Sequence, residues 1–165
     1  MTRCEVRSFV TGRSGRLGSV IVQSLADRGD VIADTRVRIN YLVFAHRYRG
    51  APDFAREMDA NLGLVVHDIE TTTWGEGDRG IVIISSISAE EPEIGESLAY
   101  NLSKAALNQL ARCYAKTGHT RINTVSPAAF TGPRAVVSMQ EVANVVSFLC
   151  SPLSSGVNGQ DIRVG

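Results

Sequence analysis

Apolar and polar positions follow two alternating rhythms along this chain. Short apolar runs, Glu5-Val-Arg-Ser-Phe-Val10 and Ile81-Val-Ile-Ile-Ser-Ser86, have the length and β-branched content of strands. Ser19 to Arg28 carries a helical pattern that stops at Gly29. A second helical pattern begins near Asp53 and carries Leu62, Leu64, Val65, Val66 and Ile69, until Thr71-Thr-Thr-Trp-Gly-Glu-Gly77 breaks it. A third, amphipathic, starts at Leu98 and runs through Leu107, Leu110, Ala111 and Tyr114 to Gly118. Ser138-Met-Gln-Glu141 has the form of a capping box at the start of a last helix. This alternation predicts an α/β fold, a parallel sheet with helices on both faces. No repeat, low-complexity tract or linker divides residues 1–165, so one domain is expected.

Two local arrangements carry chemistry. Thr11-Gly-Arg-Ser-Gly-Arg-Leu-Gly18 lies between the first strand and the first helix. A glycine-rich turn there brings backbone N–H groups and the positive end of a helix dipole toward a phosphate. Gly12 suits the tight turn, Gly15 permits close backbone approach, and Gly18 lets helix and sheet pack closely. Further on, Tyr100 and Lys104 stand at i and i+4, on one helix face with Cβ atoms about 5–6 Å apart. A neighbouring cation favours the phenolate. Ser86, at the end of the apolar run, is positioned to hold a carbonyl or alcohol oxygen beside that phenol; Ser85 and Ser88 are its neighbours in the same turn. A Tyr-x-x-x-Lys pair alone arises by chance on many helices, so its weight comes from its company.

Together these residues resemble the short-chain dehydrogenase/reductase family nearly from end to end. Thr11, Gly12, Arg13, Gly15, Leu17 and Gly18 match its cofactor turn, and Leu42-Val-Phe-Ala45 lies where its fourth strand runs. Asn61 in Met58-Asp-Ala-Asn-Leu-Gly63 resembles the helix asparagine of its catalytic tetrad, with Ser86, Tyr100 and Lys104 as the other three members. Arg121-Ile-Asn-Thr-Val-Ser-Pro127 resembles the sixth strand and its proline turn. Val142–Leu149 and Gly159–Gly165 resemble the last helix and last strand. The resemblance implies a Rossmann-like doubly wound sheet and hydride transfer between NAD or NADP and a carbonyl or secondary alcohol. It gives Tyr100 the role of proton donor or acceptor. Lys104 would hold the nicotinamide ribose, Ser86 would fix the substrate oxygen, Asn61 would hold a water that links Lys104 to solvent, and Pro127 would border the cofactor.

Cofactor preference is open on sequence grounds. Asp34 falls about 22 residues beyond Gly12, where a carboxylate takes the ribose hydroxyls of NAD; a solvated turn carboxylate accounts for it equally well. Arg13 and Arg16 suit a 2′-phosphate instead. Several positions depart from the family pattern. Phe44-Ala-His-Arg47 stands where Asn-Asn-Ala-Gly is usual, Ala128 replaces the glycine after the proline, and Arg16 replaces a glycine of the classical turn.

Two internal segments are shorter than the family's. There is no room between Asp34 and Tyr41 for a helix–strand–helix, nor between Thr131 and Ser138 for a helical lid over substrate. A parallel strand at Val31–Asp34 would leave Thr35–Asn40 a return of roughly 17 Å along the sheet and about 10 Å across it. Six residues reach at most about 20 Å. Residues 31–38 are therefore expected to form an irregular edge segment, or to pair with another subunit.

Lys and Arg number 17, as do Asp and Glu, which gives no reason to expect nucleic acid or an anionic membrane as partner. No apolar run approaches the roughly 20 residues that cross a bilayer, and Arg3, Glu5 and Arg7 interrupt the N-terminal stretch where a leader would be apolar. Cys4, Cys113 and Cys150 are scattered, as expected of reduced thiols in a cytoplasmic protein, and the last two read as core residues. His46, His67 and His119 lack ligand spacing, so no metal is expected. Glu90, Glu91, Glu93 and Glu96 read as a solvated face. The leading expectation is an NAD(P)-dependent oxidoreductase on a small carbonyl or alcohol. The alternatives are a catalytically silent binding or structural subunit, supported by the short adenine side, and a compact enzyme for another nucleotide-linked substrate. The resemblance implies a homodimer or homotetramer through the helices at 61–73 and 100–116, and the uncovered sheet edge also calls for a partner.

Overall fold

A computed structural model describes residues 5–92, 95–133 and 135–165. Cys4 and Glu93, named above, lie outside the described residues. Six parallel strands form one sheet: β1 Arg7–Thr11, β2 Val31–Ile32, β3 Tyr41–Phe44, β4 Gly80–Ile84, β5 Arg121–Pro127 and β6 Asp161–Val164, in the order β2-β1-β3-β4-β5-β6. Helices α1 Arg16–Arg28 and α5 Met139–Leu149 pack on one face. On the other lie α3 Leu64–Thr71 and α4 Leu98–Ala115. A short helix α2, Phe54–Met58, leads into α3 through a π-helical turn at Asp59–Gly63.

The period of two in the central strands divides the core between these faces. Tyr41, Val43, Val82 and Ile84 join Ile21 and Leu25 of α1 and Val142, Val146 and Leu149 of α5. Leu42, Phe44, Ile81 and Ile83 join Val65 and Ile69 of α3 and Leu107 and Ala111 of α4. Strands apolar on both faces are what a parallel sheet covered twice requires. Caps set the helix ends. Gly29 closes α1 at φ 103°. The Asp53 carboxylate accepts from the Arg56 N–H, and Ser138 with Glu141 forms the reciprocal box at α5.

The segment after α1 corrects one expectation. Val31 and Ile32 form an ordinary parallel pairing with Arg7 and Ser8 of the same chain, so 31–38 is not wholly irregular and its inner side is paired within the chain. The strand is only two residues long and stands at the sheet edge. Residues 33–40 then return across the face that carries α3. Ala33 and Ile39 are buried there, Arg36 lies over the Phe9 ring and pairs with Asp68 at 3.0 Å, and the Ile39 N–H donates to the Thr73 carbonyl. Arg38, at φ 52°, makes the sharp bend.

A second correction concerns Cys113, which is exposed. It lies two positions past buried Ala111, about 200° round the helix and off the packed face. Cys150 is buried at the C-terminal end of α5, and burial pushes its thiol up to about 12. Among the described residues, no helix is long and apolar enough to cross a membrane. No group of three or more His, Cys, Asp or Glu could hold a metal among them either.

Candidate functional site

The C-terminal ends of β3, β4 and β5 and the N-terminus of α1 open onto one cleft of about 320 Å³. Gly15, Leu17 and Gly18 line it from α1, Ser86 and Ser88 from the turn after β4, Tyr100 and Lys104 from α4, and Pro127 to Thr131 from the end of β5. Clefts at the carboxyl ends of parallel strands are where open α/β sheets bind ligands.

The glycine turn is built as its sequence demands. Gly12 adopts φ 66°, and a Cβ there would stand 2.9 Å from the Ala45 carbonyl oxygen and from the His46 backbone. A Cβ on Gly18 would stand 2.1 Å from the Gly12 carbonyl oxygen, so helix and turn touch backbone to backbone. Gly15 is the N-cap of α1 and offers no side-chain acceptor, so the cap leaves the N–H groups of the first helical turn to a ligand at the cleft. These features fit a diphosphate against α1. Arg13 and Asp34 pair at 2.7 Å at the end of the β2 side, both largely exposed. Thr11, Gly12, Arg13 and Asp34 do not line the cleft itself. Thr11 Oγ1 instead meets His46 Nδ1 at 2.7 Å.

On α4, the Ser97 hydroxyl caps the helix by accepting from the Tyr100 N–H at 2.9 Å. That fixes the first turn, and the i, i+4 spacing brings Lys104 under the same face. Lys104 is buried, donates from Nζ to the Ile84 carbonyl at 2.8 Å, and lies 5.5 Å from the centre of the Tyr100 ring. Burial first, and the Arg47 charge second, bring its pKa down to about 8, against a smaller opposing effect of Glu96. Ser85 also lines the cleft, but its hydroxyl is used within the fold: it donates to the Lys104 carbonyl at 3.1 Å and holds α4 to β4. Ser86 accepts from the Ser88 N–H at 3.1 Å, and the two hydroxyls are 3.0 Å apart. A hydroxyl proton rotates to suit its partners, so Ser88 can donate to Ser86 while Ser86 turns its own proton to the cleft.

Asn61 lies in the π-helical turn with its amide engaged on both sides. Its Oδ1 accepts from the Tyr48 N–H at 2.7 Å and its Nδ2 donates to Ser103 Oγ at 3.2 Å. The amide thus anchors the loop after β3 to α4, while Lys104 meets the Ile84 carbonyl. The π-helical turn around it presents the Ala60 carbonyl to His46 Nε2 at 2.9 Å. That carbonyl only accepts, so Nε2 carries the proton and Nδ1 accepts from Thr11. Burial lowers the His46 pKa, a direction that the backbone bond opposes and the Lys104 charge reinforces.

Three side chains at the cleft were not singled out from sequence. Arg47 lies over the Tyr100 ring at 4.6 Å and faces the Glu96 carboxylate, with contacts of 3.5 and 3.3 Å. Arg49 lines the same region. Glu96 is half-buried and belongs to the cleft wall, whereas Glu90 and Glu91 are exposed and pair with Arg163. The signal for Arg47 was its departure from the usual glycine. Glu96 carried none, since a run of acidic residues does not reveal which member turns inward.

No family model matches this chain. A tropinone reductase homolog of Arabidopsis thaliana is 30% identical over 141 residues, 69% of this chain and 52% of that protein. Human dehydrogenase/reductase SDR family member 2, mitochondrial, is 32% identical over 114 residues, 54% of this chain and 40% of that protein. The chain thus spans about half the length of the curated relatives it matches. Among solved structures, Thermoplasma acidophilum aldohexose dehydrogenase superposes with a TM-score of 0.85 at 19% identity, over 97% of this chain and 92% of the other. NAD⁺-bound xylitol dehydrogenase does so at 0.82 and 19%, over 96% and 97%.

Proposed function

We propose, for a chain that belongs to the short-chain dehydrogenase/reductase family, that it transfers hydride between NAD or NADP and a small carbonyl or secondary alcohol. The observation that carries this reading is one cavity lined by Ser86, Tyr100 and Lys104 together with the N-terminal turn of α1. The bound nicotinamide would supply or accept the hydride. Gly12, Gly15, Leu17 and Gly18 would hold the diphosphate through the backbone, with Pro127 bordering the cofactor. Asp34, with Arg13 beside it, would meet the adenosine ribose or its phosphate.

Within the cleft, Tyr100 Oη is the proton donor to the carbonyl oxygen in reduction and the acceptor in oxidation. Negative charge developing on that oxygen is stabilised by Lys104 and Arg47, both within 6 Å of the ring. Ser86 donates to the substrate oxygen, with Ser88 behind it. Asn61 acts as a positioning residue, holding the 45–48 loop on α4.

A second reading, a relative that binds without turnover, draws on Arg47, whose guanidinium covers one face of the Tyr100 ring. Titration with NADH and NADPH by nicotinamide fluorescence separates the two. Micromolar binding that Gly12→Arg removes, with turnover of some carbonyl that Tyr100→Phe removes, is expected. Binding without any turnover supports the silent binding relative, and no binding at millimolar concentration refutes hydride transfer and leaves a silent structural subunit.

The apolar side chains left exposed on this side, Phe54, Leu64, Leu98 and Leu102, support a homodimer through α2–α3 and α4. The free thiols Cys113 and Cys150 suit a reducing compartment such as the cytoplasm.

A further inference from the structure

The charge of the cleft does not match that of the chain. Acidic and basic residues balance over the whole sequence, yet among the described residues the cleft is lined by Arg16, Arg47, Arg49 and Lys104 against one carboxylate, Glu96. Arg16 stands at the helix N-terminus, where a diphosphate accounts for it. Lys104 is buried under Tyr100. Arg47 and Arg49 remain, at the substrate end, beyond the phenol.

Arg47 is placed to recognise substrate. Its side chain is held from below by the Tyr100 ring, so the planar fork is oriented rather than free. It faces a carboxylate already, with two N–H groups directed at the two oxygens of Glu96. Those contacts, at 3.5 and 3.3 Å, exceed the roughly 2.7–2.9 Å of a well-formed charge-assisted pair. Both partners are also partly exposed, 42% and 30%, so the present pair is weak and exchangeable. We propose that the substrate carries a carboxylate, and that Arg47, assisted by Arg49, receives it in exchange for Glu96. The acid then sits within one side chain's reach of Tyr100, which makes the substrate class a short oxo acid or hydroxy acid. This inference rests on the oxidoreductase reading for its carbonyl, but not for its carboxylate.

The test uses pyruvate, acetoacetate and levulinate, each beside its neutral methyl ester. Binding is measured by calorimetry with and without NADH, and turnover by nicotinamide absorbance. At least one acid should bind about tenfold more tightly than its ester, a difference of about 1.4 kcal/mol. Arg47→Gln should bring the pair to within about twofold, and Glu96→Gln should tighten acid binding by removing the competing carboxylate. Circular dichroism of both variants checks that the fold is kept, as expected for partly exposed side chains outside the helices and the sheet. Esters that bind as well as acids, or a preference that survives Arg47→Gln, would overturn the inference. Equal reduction of acids and esters overturns the inference while the oxidoreductase reading stands. An Arg47-dependent acid preference, with neither NADH binding nor turnover, leaves the anion site and removes the oxidoreductase reading.

Discussion

Lys104→Met should make the protein more stable at neutral pH while it abolishes hydride transfer. The lysine is 3% exposed, and its protonated form is disfavoured enough to lower its pKa from 10.5 to about 8. Burial is the main cause. A depression of that size corresponds to about 3 kcal/mol of destabilisation when the group is charged. Methionine removes that burden but leaves the Ile84 carbonyl without the Nζ donor, a loss of about 1 kcal/mol. The net gain at pH 7 is therefore about 2 kcal/mol, or a rise of roughly 4–8 °C in Tm for a chain of this size.

The pH dependence identifies the source. Below pH 8 the lysine is protonated in both states and the wild type bears the full burden. Between about 8 and 10.5 the folded protein releases the proton while the unfolded chain keeps it. The unfolded state then binds more protons, so wild-type stability rises with pH. The advantage of Lys104→Met should shrink across that window and reverse above it, where only the lost bond to the Ile84 carbonyl, about 1 kcal/mol, remains. Urea unfolding of both proteins at pH 7, 8.5 and 10, compared as differences, cancels every other titrating group. A variant less stable than wild type at pH 7, or a difference that does not change with pH, would refute the reasoning.

Asp161 ties β6 to β5 and α4: its carboxylate accepts from Thr124 and Ser126 at 2.7 Å and from Asn108 at 3.0 Å. Asp161→Ala should lower stability by about 3 kcal/mol, because three buried donors lose one acceptor; a urea midpoint within error of wild type would count against it. Ser97→Ala removes the α4 cap and the donor to Glu57, and should lower stability by about 1–2 kcal/mol and kcat with it, since Tyr100 loses its anchor. Unchanged thermal unfolding would show that the cap does not bear on α4. Leu102→Glu, at a 45% exposed position, should convert a dimer to monomer in sedimentation; a wild type that is already monomeric at micromolar concentration would end that proposal.

The parts of the fold that were legible in the sequence are those where local chemistry allows one outcome. The apolar run at 81–84 can only be a strand covered on both faces, and β4 is buried throughout. Ser138 and Glu141 form the reciprocal cap their spacing implies. Gly12, Gly15 and Gly18 meet their backbone neighbours as the turn requires. Less legible were side chains whose role depends on loops. Arg47 and Glu96 are far apart in sequence and meet only because β3 and α4 end at the same cleft. The Asn61 amide meets Tyr48 and Ser103, a choice set by the π-helical turn that periodicity does not reveal.

The return from β2 to β3 failed as a prediction for a geometric reason, and the same reason explains why the short segment leaves the site intact. The length argument assumed a four-residue β2, whose end lies a full strand away from the start of β3. In the fold, Ile32 and Tyr41 are both level with Ser8. The return therefore has no distance to recover along the strands and only two strand spacings, about 10 Å, to cross. Eight residues, 33–40, span that easily and have enough left to bury Ala33 and Ile39 and to place Arg36 on Asp68. The strands whose ends line the cleft, β3, β4 and β5, lie on the other side of this crossing, and with β1 they keep a continuous parallel register. The short segment changes the edge near Asp34, while the positions of Ser86, Tyr100 and Lys104 depend on contacts the edge does not touch.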